Sequence, residues 1–112
     1  MTRIPELVMK QVERWCTNRV PDRLREELRV TCKRRGNSIT IVEQRAPATA
    51  ELGEDWSEQK VAQLRLAEDG NWSLHWADRN GRWRNLSGGP RDETIAPLLD
   101  EIDRNPDGVF WG

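Results

Sequence analysis

The stretch Leu64-Arg65-Leu66-Ala67-Glu68-Asp69-Gly70-Asn71-Trp72-Ser73-Leu74-His75-Trp76-Ala77-Asp78-Arg79-Asn80-Gly81-Arg82-Trp83-Arg84-Asn85-Leu86 decides how this chain folds. Apolar and polar residues alternate through three short runs separated by two glycine-bearing turns, which is the pattern of an antiparallel meander. Register follows from the turns, because a slip of one residue moves every side chain to the opposite face. A three-residue loop Glu68-Asp69-Gly70, with glycine in the left-handed position, pairs Leu66 with Trp72 and Leu64 with Leu74. A two-residue Asp69-Gly70 loop would set Leu74 against Arg65 and break the apolar face, so the longer loop is the better reading. With Asn80-Gly81 as a two-residue loop, Asp78 faces Trp83 and Trp76 faces Asn85. Trp72, Leu74, Trp76 and Trp83 then share one apolar face with Leu64, Leu66 and Ala62.

Upstream, Leu28–Arg35 and Ser38–Arg45 alternate around Gly36-Asn37 and read as a β-hairpin, Arg35 facing Ser38, Lys33 facing Thr40 and Cys32 facing Ile41. Leu28, Val30, Cys32, Ile39 and Ile41 fall on one side of it. Ile4, Val8, Val12 and Trp15/Cys16 form a stripe at helical spacing, which predicts a helix over 5–18 with Pro5 in its first turn. Val20-Pro21 ends it, and Asp22–Glu26 adds a short helical turn. Residues 46–58 lack periodicity, contain Pro47 and Gly53 and carry four acids, so they read as a loop anchored by Trp56. Ser87-Gly88-Gly89-Pro90 closes the sheet. Ile95, Leu98, Leu99 and Ile102 then mark a final helix with Pro97 in its first turn. The apolar tail Val109-Phe110-Trp111 is expected to dock.

The expectation is therefore one α+β domain over residues 1–112. Its antiparallel sheet has about five strands, a two-stranded hairpin plus a three-stranded meander, with an N-terminal and a C-terminal helix packed on the apolar face. A chain of 112 residues buries roughly two thirds of its unfolded surface. Hydrophobic residues are 36% and charged residues 33% of the chain, so the core is small and leans on six tryptophans. Residues 1–46 hold eleven Lys/Arg against six Asp/Glu, and residues 47–112 hold seven against thirteen. The net charge of −1 thus conceals a polar division along the chain. No signal peptide or membrane span is expected, and two cysteines in such a chain read as reduced thiols of a cytoplasmic protein.

The same parity assigns the other face of the sheet. Arg29, Thr31, Lys33, Arg35, Ser38, Thr40, Val42, Gln44, Val61, Gln63, Arg65, Ser73, His75, Ala77, Arg79, Arg82, Arg84 and Leu86 lie on it. Arg29, Lys33, Arg35, Arg65, Arg79, Arg82 and Arg84, with His75 among them, make this face cationic and free of carboxylate. They are the candidate anion-binding residues. A sheet of this kind steers towards an anionic partner, either nucleic acid or an acidic protein segment, while the plain alternative is a solvated polar face. Aromatics that would stack on bases are assigned to the core face, which weighs against nucleic acid.

Other chemistries find little support. One histidine and two cysteines sixteen apart do not make a structural zinc site, so no metal and no cofactor is expected. Cys32 and His75 fall on opposite faces and cannot act as a nucleophile pair. The glycines at 36, 70, 81 and 108 read as turn residues, and Gly88-Gly89-Pro90 lacks the surroundings of a phosphate loop. Asp92, Glu93, Asp100, Glu101 and Asp103 read as a solvated helix face. Two alternatives to a binding protein stay open: a small enzyme with a site between the 46–58 loop and the sheet edge, using Asp55, His75 or Asp78, and a homodimer joined at the sheet edge or near Trp111.

Ile4-Pro5-Glu6-Leu7-Val8, Arg35-Gly36-Asn37-Ser38-Ile39-Thr40, Asp55-Trp56, Gly70–Trp76, Asp78-Arg79-Asn80-Gly81-Arg82-Trp83 and Asp107–Gly112 together give the chain a recognisable pattern. It resembles the small bacterial proteins grouped as domain of unknown function 3024, over almost its whole length. The resemblance implies a stand-alone bacterial protein of one domain and implies no particular activity.

Overall fold

A computed structural model of the chain describes residues 3–47, 55–86 and 91–111. Helix α1 (Glu6–Arg19) is followed by a 3-10 turn at Asp22–Leu24 and the strands β1 (Leu28–Arg35), β2 (Ser38–Arg45), β3 (Ser57–Leu66), β4 (Trp72–Ala77), β5 (Trp83–Asn85) and β6 (Arg91–Asp92). Helix α2 (Ala96–Arg104) and a 3-10 turn at Pro106–Gly108 close the chain. The sheet runs β1-β2-β3-β4-β5, antiparallel throughout, and β6 shares the outer edge of β4 with β5. This is the expected α+β architecture, with the short β6 added to the meander.

Local chemistry places each element. The Pro5 carbonyl accepts the Val8 and Met9 amides at 3.0 and 3.2 Å, which starts α1, and Val20 in extended conformation before Pro21 ends it. Pro97 sits in the first turn of α2, where its missing N–H costs nothing. Asn105, at φ 50°, caps the far end, its amide donating to the Glu101 and Ile102 carbonyls. The Asn105 side chain then accepts the Phe110 and Trp111 amides at 2.9 and 3.0 Å. Phe110 is buried and the Trp111 indole donates to the Ile102 carbonyl at 2.9 Å. The apolar tail docks as expected.

Both helices pack on one face of the sheet. Ile4, Val12 and Cys16 from the first helical region meet Val30, Ile39, Ile41, Ala62, Leu64, Leu66, Trp72 and Leu74 from the strands, and Ile95, Leu98, Leu99 and Ile102 complete the core. The hairpin register is the expected one, Arg35 opposite Ser38 and Cys32 opposite Ile41. Leu64 opposite Leu74 and Leu66 opposite Trp72 likewise match the three-residue loop at Glu68–Gly70.

The second meander turn corrects the sequence reading. Ala77, not Asp78, faces Trp83, and Trp76 faces Arg84. The Asp78 amide donates to the Arg82 carbonyl at 2.9 Å and the Gly81 amide to the Asp78 carbonyl at 2.9 Å, which closes a three-residue loop Arg79-Asn80-Gly81. The previous turn closes identically, Ala67 to Asn71 and Gly70 to Ala67. In both loops the third residue is a glycine with positive φ, 86° at Gly70 and 76° at Gly81. The extra loop residue shifts β5 by one position. Trp83 therefore leaves the apolar face, whereas Leu86 joins it and packs against the core with its amide on the Leu74 carbonyl.

A bulge between β2 and β3 makes a second change. Ile41 faces Ala62 and Val42 faces Lys60, so Val61 is the extra residue, buried at 2% exposure. Strict alternation back from Ala62 would place Lys60 and Glu58 on the helix side. The bulge turns both to the opposite face.

Candidate functional site

The face of the sheet turned away from α1 and α2 is the candidate site, and its side chains lie in rows across the strands. One row runs Arg35, Ser38, Arg65, Ser73; the next runs Lys33, Thr40, Gln63, His75, Asn85. Beyond the bulge, Thr31, Val42 and Lys60 align, and then Arg29, Gln44 and Glu58. Trp83, beside Ala77, belongs to this face. Of the expected cations, Arg29, Lys33, Arg35 and Arg65 are brought together here, with Lys60 as an addition. Three are not. Arg82 and Arg84 take the opposite parity because of the three-residue loop, and Arg79 sits in the loop itself.

The face is not free of carboxylate, as expected from alternation, because the bulge delivers Glu58 to it. Lys33 donates to Glu58 at 2.7 Å and Gln44 donates at 3.2 Å. These two contacts, Lys33 first, hold the Glu58 carboxyl below the usual range. The aromatics also differ from the expectation. Trp56 carries the Arg29 guanidinium 4.2 Å from its ring centre, and Trp83 carries the Lys60 ammonium at 5.5 Å. Each pair is a cation-π contact that holds a cation and an indole side by side. Lys60 is tethered further by donating to the Gly81 carbonyl at 2.9 Å.

The far row is arranged differently. Arg65 donates to Gln63 at 2.8 Å, and Gln63 donates to the Thr40 hydroxyl at 3.0 Å. Arg65 and Arg35 have no carboxylate partner among the described residues, and both are exposed. Two uncompensated guanidinium groups thus flank the Ser38 position in one row. Their charge is available to an outside anion, which makes this end of the face the more attractive to a phosphate or carboxylate.

His75 does not project into solvent among the arginines, as the sequence suggested, but is buried at 6% exposure. Its Nε2 and the Ser73 Oγ are 2.9 Å apart. Burial, and then the charge of Arg65, lower its pKa to about 4, so the imidazole is neutral near pH 7. Among the described residues no carboxylate orients the other ring nitrogen, so Ser73 and His75 lack the third member of a hydrolytic triad. Asp78 serves the turn instead. Its carboxylate accepts the Asn80 and Arg82 amides at 2.9 and 3.0 Å and the Arg84 guanidinium at 2.8 Å. The Arg82 amide and then Arg84 hold that carboxyl below its ordinary range. Asp55 is exposed. Most of the 46–58 loop, residues 48–54, and the Ser87–Pro90 segment lie outside the described residues.

Among the described residues, no group of three or more His, Cys, Asp or Glu side chains is arranged to hold a metal ion. No described helix is long and apolar enough to cross a membrane. A family model described as "Domain of unknown function (DUF3024)" matches residues 1–112, and the chain belongs to that family. No curated protein and no solved structure matches the chain.

Proposed function

We propose that this member of the DUF3024 family is a binding protein of the bacterial cytoplasm that meets an anionic partner, single-stranded nucleic acid, on the helix-free face of its sheet. One observation carries the reading: Arg29, Lys33, Arg35, Lys60 and Arg65 share that face with Trp56 and Trp83, against Glu58 as its carboxylate among the described strand residues. Cations that track a phosphate backbone, interleaved with indoles on which bases stack, are the usual equipment for single strands. The sequence assigned Trp83 to the core face, so the turn at Arg79–Gly81 changes the weight of this hypothesis. Arg35 and Arg65, which have no carboxylate partner among the described residues, engage a phosphate without breaking an ion pair seen there. Lys33 must first release Glu58.

Titration with a mixed-sequence single-stranded oligonucleotide, followed by tryptophan fluorescence across a salt series, tests the reading. Binding is expected at low salt, with log K falling by about 0.7 per phosphate contacted for each decade of salt. Arg35→Glu and Arg65→Glu should each weaken it by about tenfold or more, and Trp83→Phe should reduce the quenching. Arg84→Gln, on the other parity, should leave affinity unchanged. Absence of binding at low salt, or indifference to both charge reversals, would refute it. Preference for polyglutamate over the oligonucleotide would transfer the face to an acidic polypeptide.

A further inference from the structure

The two thiols of the chain, far apart in sequence, meet where α1 packs on β1. Cys16 projects from α1 and is 2% exposed, whereas Cys32, on the edge strand, is half-buried. Both line one surface groove of about 170 Å³, with Glu13, Thr17, Val30 and Thr31. An adjoining groove of about 260 Å³ shares Cys16, Thr17, Val30 and Thr31 and continues past Val20 to Arg25 and Arg29. Neither thiol is in a disulfide. Arg25 and Arg29 lie along the adjoining groove, and Cys32 is the more exposed of the two thiols.

We infer that Cys16 and Cys32 are a reversible redox dithiol that reacts with small, negatively charged disulfides, Cys32 as the attacking thiol and Cys16 as the resolving one. Three placements support it: both thiols packed at one edge of the core, a shared open groove, and cations along the adjoining groove. The thiols lie on the helix side of the sheet; Arg29 on the edge strand serves both readings, and thiol exchange is read separately from nucleic-acid binding. The neighbouring Cys16 thiol also holds the Cys32 thiol below its ordinary range, against burial and the charge of Glu13. Cys32, with burial, pushes Cys16 up. The more exposed sulfur is thus also the better populated thiolate.

The chemistry balances with the small disulfide as oxidant. The Cys32 thiolate attacks one sulfur of RS–SR, forming Cys32–S–SR and releasing RS⁻. Cys16 then loses its proton and attacks Cys32 Sγ, forming the Cys16–Cys32 bond and releasing the second RS⁻. The protons of the two protein thiols appear on the two RSH formed, and two electrons pass from the protein to the small disulfide.

Glutathione disulfide is the probe. The folded wild-type protein is incubated with it, quenched in acid, alkylated and weighed, with peptide mapping of the product. The expected product has lost two hydrogens and carries a Cys16–Cys32 cross-link, and glutathione returns the free thiols. Cys16→Ser should instead accumulate one glutathione on Cys32, and Cys32→Ser should react roughly tenfold more slowly or worse. Because the wild-type product alone decides the matter, a variant that fails to fold does not obscure it. A stable mixed disulfide in the wild type with no cross-link would overturn the inference. So would modification whose rate follows global unfolding in urea, since that is how two inert buried thiols behave.

Discussion

His75 is held neutral by the fold, and this makes stability depend on pH in a window that can be calculated. The imidazole pKa is lowered to about 4 in the folded chain by burial and by Arg65, against about 6.5 when unfolded. The neutral form is therefore favoured by folding. Its contribution is fully present above pH 6.5 and is lost as pH falls towards 4, because the unfolded chain takes up the proton first. The full gap corresponds to about 2 kcal/mol lost by pH 5 and about 3 kcal/mol by pH 4. Relaxation and water access around the ring reduce the expected loss at pH 5 to about 1–2 kcal/mol. Urea denaturation at a series of pH values, comparing the wild type with His75→Gln, isolates it, since carboxylate titrations are common to both. The chain has one histidine, so its ring proton resonance follows the titration without ambiguity. A difference between the two proteins that stays flat within about 0.3 kcal/mol from pH 7.5 to 5, or a measured pKa near 6.5, would refute the reasoning.

Arg65→Gln removes the second cause of that shift and should move the His75 resonance titration upwards while leaving its burial intact. Gly81→Ala places a side chain at φ 76° with its Cβ 3.6 Å from the Lys60 ammonium. It should cost about 1–2 kcal/mol by denaturation and loosen the Lys60–Trp83 pair, which tryptophan fluorescence would register. Asn105→Ala deletes the acceptor for the Phe110 and Trp111 amides and leaves alanine at φ 50°. A loss of about 2–3 kcal/mol and exposure of Trp111 to quenchers are expected.

The fold was largely legible because its signals are local. Gly36 between two alternating runs sets the hairpin register, and the requirement that Leu64, Leu66, Trp72 and Leu74 share a face selects the three-residue loop at Glu68–Gly70. Ile95, Leu98, Leu99 and Ile102 mark α2 by spacing alone. The candidate face was legible in part. Arg29, Lys33, Arg35 and Arg65 belong to strands whose parity those turns determine. Arg82 and Arg84 were misplaced because Asn-Gly supports both a two-residue turn and a three-residue loop ending in glycine. The parallel between Ala67–Asn71 and Asp78–Arg82 is the local signal for the longer loop.

Sequence by itself determined the secondary elements, the apolar face and the segregation of cations, since each follows from periodicities of two or 3.6 residues and from the backbone freedom of a few glycines. Three matters lie beyond periodicity, one decided inside a turn and two by tertiary contacts. The Asp78 carboxylate, by taking the Asn80 and Arg82 amides, stabilises the longer loop and turns Trp83 to the open face. The bulge at Val61 reverses Lys60 and Glu58. The packing of α1 on the edge strand brings Cys16 to Cys32. In a sheet one residue of slip inverts every side chain beyond it, so one turn and one cross-strand bulge decided which groups share the face where function is proposed.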